Sequence, residues 1–318
     1  MVQMVGVLIV ALGVAPVFAS VDHGEVLDND VLVAGYIVMR VAMLAQWLRV
    51  ARQDPDRRRV AIAFAVTIAI AQVGWTVVAI VDRPWPDLLP VLIVFYLIEL
   101  GGPVIADRLG GFPPWNAHHI AERYGLFVII TLGEVILGTI TAVAAAVGRV
   151  GWSMEAVLIV VAGTGLAFGM WWSYFVVPAG EILHRHRRRA WVWGYGGIVI
   201  FAAVAAMGAG LHVAAYVAEG QAEIGVVGAV LTVAVPVLVS VVAYFAIYAY
   251  LVHAFDPFHM LLLAGAVVVL TAAVLLAFAG ASLGVCLLVV MLAPAVIVVG
   301  YETVGHRHMS AVVARVLA

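Results

Sequence analysis

The 318-residue sequence contains no lysine, because all 16 of its basic residues are arginine. A retinal Schiff base, a lysine-bound pyridoxal phosphate and a Walker-A phosphate loop each require a lysine. The absence of lysine therefore excludes a retinal pigment and an NTPase motor that uses this loop. Cysteine is almost absent as well, since Cys286 is the only one, and no disulfide can form within the chain.

Charged residues are also scarce, at 11% of the sequence, whereas 66% of the residues are hydrophobic. A soluble domain has about 45–50% apolar and about 25% charged residues. No polar stretch is long enough to fold separately. The composition predicts an all-α, polytopic membrane bundle, with residues 1–318 forming one integral membrane domain in a lipid bilayer. No motif indicates a cofactor or a nucleic-acid partner.

Apolar runs separated by short charged or Gly/Pro-containing loops predict ten transmembrane helices. We place them near residues 2–19, 31–50, 60–81, 87–106, 120–147, 153–177, 191–217, 224–252, 258–281 and 284–303.

The distribution of arginine predicts how these helices are oriented, because loops rich in arginine remain on the cytoplasmic side. Thirteen arginines fall in the loops 49–59, 107–123 and 178–190 and in the C-terminal tail. With ten spans, both termini are then cytoplasmic. The opposite loops contain two arginines and a set of acids: Arg83, Arg149, Asp22, Glu25, Asp28, Asp30, Glu219 and Glu223.

The first apolar segment has two interpretations. It ends in Val17-Phe18-Ala19, which resembles a signal-peptidase site, so it could be a cleaved signal peptide. No positive charge precedes the apolar run, as a signal peptide would require. We therefore favour a helix that is retained in the membrane.

Three predicted spans contain an ionisable residue far from their ends: Arg40, Glu99 and Glu134. Counting about 1.5 Å per residue from the span ends places all three in the middle third of a hydrocarbon core about 30 Å thick. An unpaired charge at that depth is costly, so the sequence predicts a buried pair or triad. It could be a neutral clasp, that is, an ion pair whose only role is to fix helix packing. Alternatively, one acid stays ionised beside Arg40 while the other carries protons or binds a cation.

A second candidate group opens the fifth span, where His119, Glu122 and Arg123 lie at the cytoplasmic interface. His119 and Glu122 are three residues apart on a helix, so both could bind one metal ion. Glu122 near the helix N-terminus also complements the helix dipole. We favour an interface anchor over a metal site.

The stretch from His119 to Glu134, which reads HIAERYGLFVIITLGE, resembles the signature of the bacterial low temperature requirement A (LtrA) family. Two further stretches are similar to that family, WWSYF at 171–175 and WGYG at 193–196. The resemblance implies a multi-pass protein of the bacterial cytoplasmic membrane, but no particular reaction.

The chain departs from the family pattern at several places. Relatives usually begin with two additional helices, of which the first has intramembrane acids, and this chain shows neither. Val176 and Gly197 also stand where relatives often have Asp and His. These departures remove several intramembrane polar groups.

We expect a secondary transporter or permease-like protein that moves protons or a small solute through Glu134 and Glu99, balanced by Arg40. The alternatives are a membrane enzyme acting on lipid headgroups through His119 and Glu122, and a non-catalytic membrane component in adaptation or assembly. A homo-oligomer is left open.

Overall fold

The computed structural model of the chain describes residues 1–22, 26–81, 84–110, 115–253 and 256–317. Ten of its helices are long and apolar enough to cross a membrane, which confirms the predicted all-α membrane bundle. They are α1 (Val2–Asp22), α2 (Asp30–Gln53), α3 (Arg58–Ile80), α4 (Trp85–Gly110), α5 (Ala117–Val150), α6 (Met154–Phe175), α8 (Ala190–Glu219), α9 (Gly225–Val252), α10 (Pro257–Phe278) and α11 (Leu283–Gly300).

Several of these helices begin at a residue that caps the first turn. Asn116, Ser153 and Ser282 each accept a hydrogen bond from the backbone N–H three residues later, at 3.1, 3.3 and 3.4 Å. Such caps satisfy backbone donors that the first helical turn leaves free. They place the starts of α5, α6 and α11 within three residues of the predicted boundaries.

Two short helices were not predicted, α7 (Ala179–Arg185) and α12 (His306–Leu317). A five-residue π-helical segment, Tyr301–Gly305, joins α11 to α12. Both helices contain basic residues as well as buried apolar ones, for example Ile182 in α7 and Met309 in α12. Neither helix therefore stands out in the sequence as an apolar run. The guanidinium of Arg189 donates to the carbonyl of Leu251 near the end of α9.

The chain forms two compact units, Met1–Pro114 with α1–α4 (unit 1) and Trp115–Ala318 with α5–α12 (unit 2). That the whole chain acts as one integral domain stays a prediction. The orientation in the membrane also stays a prediction. Among the residues that carry it, Glu25 and Arg83 lie outside the described part of the chain, as do the side chains of Asp22 and Arg149.

Unit 1 is held together by small residues and aromatic rings. A side chain added at Gly35 of α2 would lie 2.5 Å from the backbone nitrogen of Val10, so α1 and α2 are in close backbone contact. Trp47 of α2 stacks on Phe64 of α3, with ring centroids 4.5 Å apart. Close backbone approach through small residues is typical of helix packing in membranes.

Unit 2 has an extensive apolar core formed by α5, α6 and α8–α11, in which Met170, Met207, Leu211 and Leu287 are fully buried. The outward faces of its long helices carry exposed apolar side chains, as lipid-facing helices do. Examples are Ile130, Phe168, Val268 and Leu275, each with more than 60% of its surface exposed.

Candidate functional site

The structure divides the three predicted intramembrane residues between the two units. Arg40 of α2 and Glu99 of α4 lie in unit 1 and meet there as an ion pair. Glu134 of α5 lies in unit 2, where its partner is His212 of α8. The functional role of all three residues stays a prediction.

Arg40 is enclosed by groups that hold it in one position. Its guanidinium contacts the Glu99 carboxylate and the Tyr36 hydroxyl, and it lies 4.7 Å from the centroid of the Tyr36 ring. The side chains of Arg40 and Glu99 are only 18% and 17% exposed. Glu99 Oε2 is buried and has no hydrogen-bond partner in the part of the chain described. The pair therefore resembles a clasp between α2 and α4.

The second pair lies near the middle of α5. His212 Nε2 is 3.2 Å from Glu134 Oε1, a hydrogen bond that becomes an ion pair when the imidazole is protonated. The two side chains are 31% and 42% exposed, which is more open than the pair in unit 1. Glu134 is also 17 residues from the start of the 34-residue helix α5, or about 25 Å along its axis.

Two glycines bring the backbones of α5 and α8 together at this pair. A side chain added at Gly208 would lie 2.6 Å from the backbone carbonyl carbon of Glu134, and one added at Gly138 would contact the carbonyl oxygen of Gly208. Gly138 and Glu134 are four residues apart, as are Gly208 and His212. Residues four apart lie on one helix face, so each helix presents a glycine and an ionisable residue to the other.

From the sequence, His212 is expected only to lie near a span end and to make an ordinary hydrogen bond. The matching spacing of glycine and an ionisable residue on α5 and α8 is a signal that could have identified it. That signal becomes specific only when the two helices are known to cross.

The three residues of the predicted cluster at the start of α5 are all exposed. The backbone N–H of His119 donates to the capping side chain of Asn116, and the imidazole is exposed. Arg123 and Glu122 are exposed as well, and Glu122 also lines a cavity within unit 2. No group of three or more metal-binding side chains occurs among the described residues. Asn116 caps the first turn of α5, and the roles of His119, Glu122 and Arg123 stay predictions.

A model of one protein family, described as Bacterial low temperature requirement A protein (LtrA), matches residues 1–294. This match covers most of the chain, including both ion pairs and the HIAERYGLFVIITLGE stretch. No curated protein and no solved structure matches the chain.

Proposed function

This chain belongs to the bacterial low temperature requirement A (LtrA) family, and we propose that it is a secondary transporter that couples the movement of a small solute to protons. In this proposal Glu134 and His212 form the protonation site. Its bacterial family and its ten long apolar helices favour the cytoplasmic membrane as its location, because outer-membrane proteins are typically β-barrels.

The observation that carries the proposal is the Glu134–His212 pair, which joins the middle of α5 to the last third of α8 where these two long apolar helices cross. Ionisable residues inside membrane helices are rare, and they mark proton or ion pathways when they face a cavity or another helix. Histidine changes its charge near neutral pH, so an imidazole beside a carboxylate can accept and release a proton during a transport cycle.

Neither side chain of the pair is sealed inside the protein, since 31% and 42% of their surfaces are exposed. A proton carrier must exchange with water at some point in its cycle, so the proposal requires a path for water to this pair. Arg40 and Glu99 form a more enclosed pair, and its cation does not release a proton. We assign them to holding α2 against α4 and to balancing charge within unit 1.

The test uses the purified full-length chain in liposomes that contain the pH-sensitive dye pyranine. A potassium gradient with valinomycin sets the membrane potential, and one solute from a small panel of amines, carboxylates and sugars is added. We expect at least one solute class to produce a change in internal pH that requires the protein. Glu134→Gln should abolish this change while leaving insertion and yield unaltered.

The matched control is Glu181→Gln, which neutralises an exposed acid on α7. This variant should behave like the wild type. Equal pH changes in the wild type and in Glu134→Gln would contradict the proposal. Loss of folded Glu134→Gln protein would instead give Glu134 a structural role.

A further inference from the structure

Unit 2 contains a cavity of about 260 Å³ among α5–α9. This volume is just below the roughly 300–1,000 Å³ range of pockets for drug-sized ligands, so a small molecule fits best. The lining contains one carboxylate and five aromatic rings: Glu122, Tyr174, Phe175, Trp193, Tyr244 and Tyr248.

Two tyrosine hydroxyls of this lining have no partner. The hydroxyl oxygens of Tyr244 and Tyr248 are buried, and neither makes a hydrogen bond within the described part of the chain. The whole Tyr248 residue is only 4% exposed. Buried hydroxyls normally find a partner, and an orphaned one destabilises the protein. Both tyrosines also line a smaller cavity of about 40 Å³, so a polar ligand in the larger cavity would satisfy whichever hydroxyl faces it.

The charge of the lining selects the kind of ligand. Glu122 is the only carboxylate among the described lining residues, and none of these residues is an arginine or a histidine. Its side chain has no hydrogen bond or ion pair in the described structure. The lining itself therefore has one negative charge and no positive one, which favours a cation over an anion. The guanidinium of Arg189 contacts the lining through its hydrogen bond to the carbonyl of Leu251.

The aromatic rings favour an organic cation over a metal ion. The faces of tyrosine and tryptophan attract ammonium groups through their ring electrons, and enclosed aromatic sites recognise substituted ammonium ions in this way. Tyr174 and Tyr244 meet edge to face, with ring centroids 6.1 Å apart, and Trp193 is held against Tyr124 at 4.4 Å. The walls of the cavity are therefore fixed by packing.

We infer that this cavity binds a small organic ammonium ion that also has a hydroxyl group. The ammonium would lie between the Glu122 carboxylate and the rings, and the hydroxyl would pair with Tyr244 or Tyr248. That this ion is the transported solute rests on the proposed function, whereas its binding does not.

The experiment is isothermal titration calorimetry of the full-length protein in detergent with 2-aminoethanol, which is a cation at neutral pH. Ethylene glycol is a neutral molecule of similar size, and glycolate is an anion of similar size. We expect 2-aminoethanol to bind at least about tenfold more tightly than either comparison compound. Glu122→Gln should remove most of this preference, and Tyr248→Phe should weaken binding about threefold.

Matched controls lie on the same elements but outside the cavity. Glu181→Gln on α7 and Tyr250→Phe on α9 should bind 2-aminoethanol as the wild type does. Equal binding of the cation and ethylene glycol would overturn the inference. So would unchanged binding in both Glu122→Gln and Tyr248→Phe, provided that both variants elute as single folded species.

The same ammonium chemistry occurs in the headgroup of phosphatidylethanolamine. The ammonium group in the cavity can therefore come from a free small ion or from a lipid headgroup. Titrations in nanodiscs of phosphatidylglycerol alone and of an equal mixture with phosphatidylethanolamine distinguish these two sources. Weaker binding of 2-aminoethanol in the mixture supports an ammonium site that the lipid headgroup reaches. Equal binding of 2-aminoethanol in both kinds of nanodisc supports an ammonium site for the free ion. If 2-aminoethanol binds as expected but no proton movement occurs in liposomes, the proposed function is contradicted, whereas the inferred binding site is not.

Discussion

Each unit of the protein contains one ionisable pair within its long helices, and the two pairs differ in the partner of the acid. In unit 1 the partner of Glu99 is an arginine, whereas in unit 2 the partner of Glu134 is a histidine. Arginine keeps its proton throughout the physiological pH range, and histidine does not. The cation of the first pair is therefore permanent, whereas a histidine partner can gain or lose a proton.

The exposed fraction of the paired side chains also differs between the two units. Arg40 and Glu99 are 18% and 17% exposed, compared with 31% and 42% for His212 and Glu134. An enclosed pair with a permanent cation is suited to holding helices together, and a less enclosed pair that contains a histidine is suited to exchanging protons. We therefore expect the partner of an intramembrane acid, rather than its depth, to indicate its role.

The largest effect on stability is expected from Glu99→Gln, which leaves the buried Arg40 guanidinium without a carboxylate. Removing one partner of a buried ion pair costs about 3–5 kcal/mol. We expect a much lower yield of monodisperse protein on size-exclusion chromatography and a lower apparent Tm in detergent.

The control for this prediction replaces both residues with apolar ones, Arg40→Met with Glu99→Leu. Replacing a whole buried ion pair by apolar residues is often neutral, so the double variant should recover most of the lost stability. A Glu99→Gln protein as stable as the wild type would contradict the structural role that distinguishes the Arg40–Glu99 pair from the Glu134–His212 pair.

A smaller loss is expected from Gly208→Ala, which adds a methyl group 2.6 Å from the Glu134 backbone. Overpacking of this kind costs about 1–3 kcal/mol. The change should lower the apparent Tm and also reduce proton movement in liposomes, because α8 must shift away from α5 at the Glu134–His212 pair.

Gly133→Ala is the matched control on α5, since a side chain added there meets no atom within 4 Å. Alanine favours a helix over glycine by up to about 1 kcal/mol, so this variant should be at least as stable as the wild type. If the two variants had the same apparent Tm and the same proton movement, the close crossing of α5 and α8 would not be important.

A third acid, Glu155 of α6, tests whether a fixed partner predicts a structural role. Its carboxylate accepts hydrogen bonds from the Ser282 hydroxyl at 2.6 Å and the Gly284 backbone N–H at 2.5 Å, at the start of α11. Glu155→Gln should cost about 1 kcal/mol, because a negative charge is lost at a helix N-terminus. Apparent Tm should fall slightly and proton movement per folded molecule should not change.

Reduced proton movement in Glu155→Gln, with the amount of inserted protein held equal, would show that this acid does more than cap α11.

The smallest effect on stability is expected from His212→Arg, which gives unit 2 the type of pair that unit 1 has. The arginine would still face the Glu134 carboxylate as its counter-charge, so folded yield should stay close to that of the wild type. Proton movement should nevertheless be lost, because arginine does not release its proton.

His184→Arg is the corresponding control, since His184 is exposed and lies at the end of α7. It should keep full proton movement. Normal proton movement in His212→Arg would mean that the imidazole takes no part in proton transfer.

The sequence by itself determined the class of the protein and the places of its ten long helices. Long apolar runs without water to satisfy the backbone can only be helices in a membrane, so composition and run length suffice. Local signals such as Asn116, Ser153 and Ser282 also set helix starts, because a cap acts over a few residues. The stretch from His119 to Glu134 likewise indicates the family, because its residues are contiguous in the chain.

Only the tertiary structure decided which residues meet. The sequence grouped Arg40, Glu99 and Glu134 by depth along their helices, but depth does not show which faces are in contact. The crossing of α5 and α8 at Gly138 and Gly208 gives Glu134 its histidine, and the packing of α5, α6, α8 and α9 forms the cavity beside Glu122. Such contacts depend on the shapes of helix faces far apart in the chain, and hydrophobic periodicity carries no information about them.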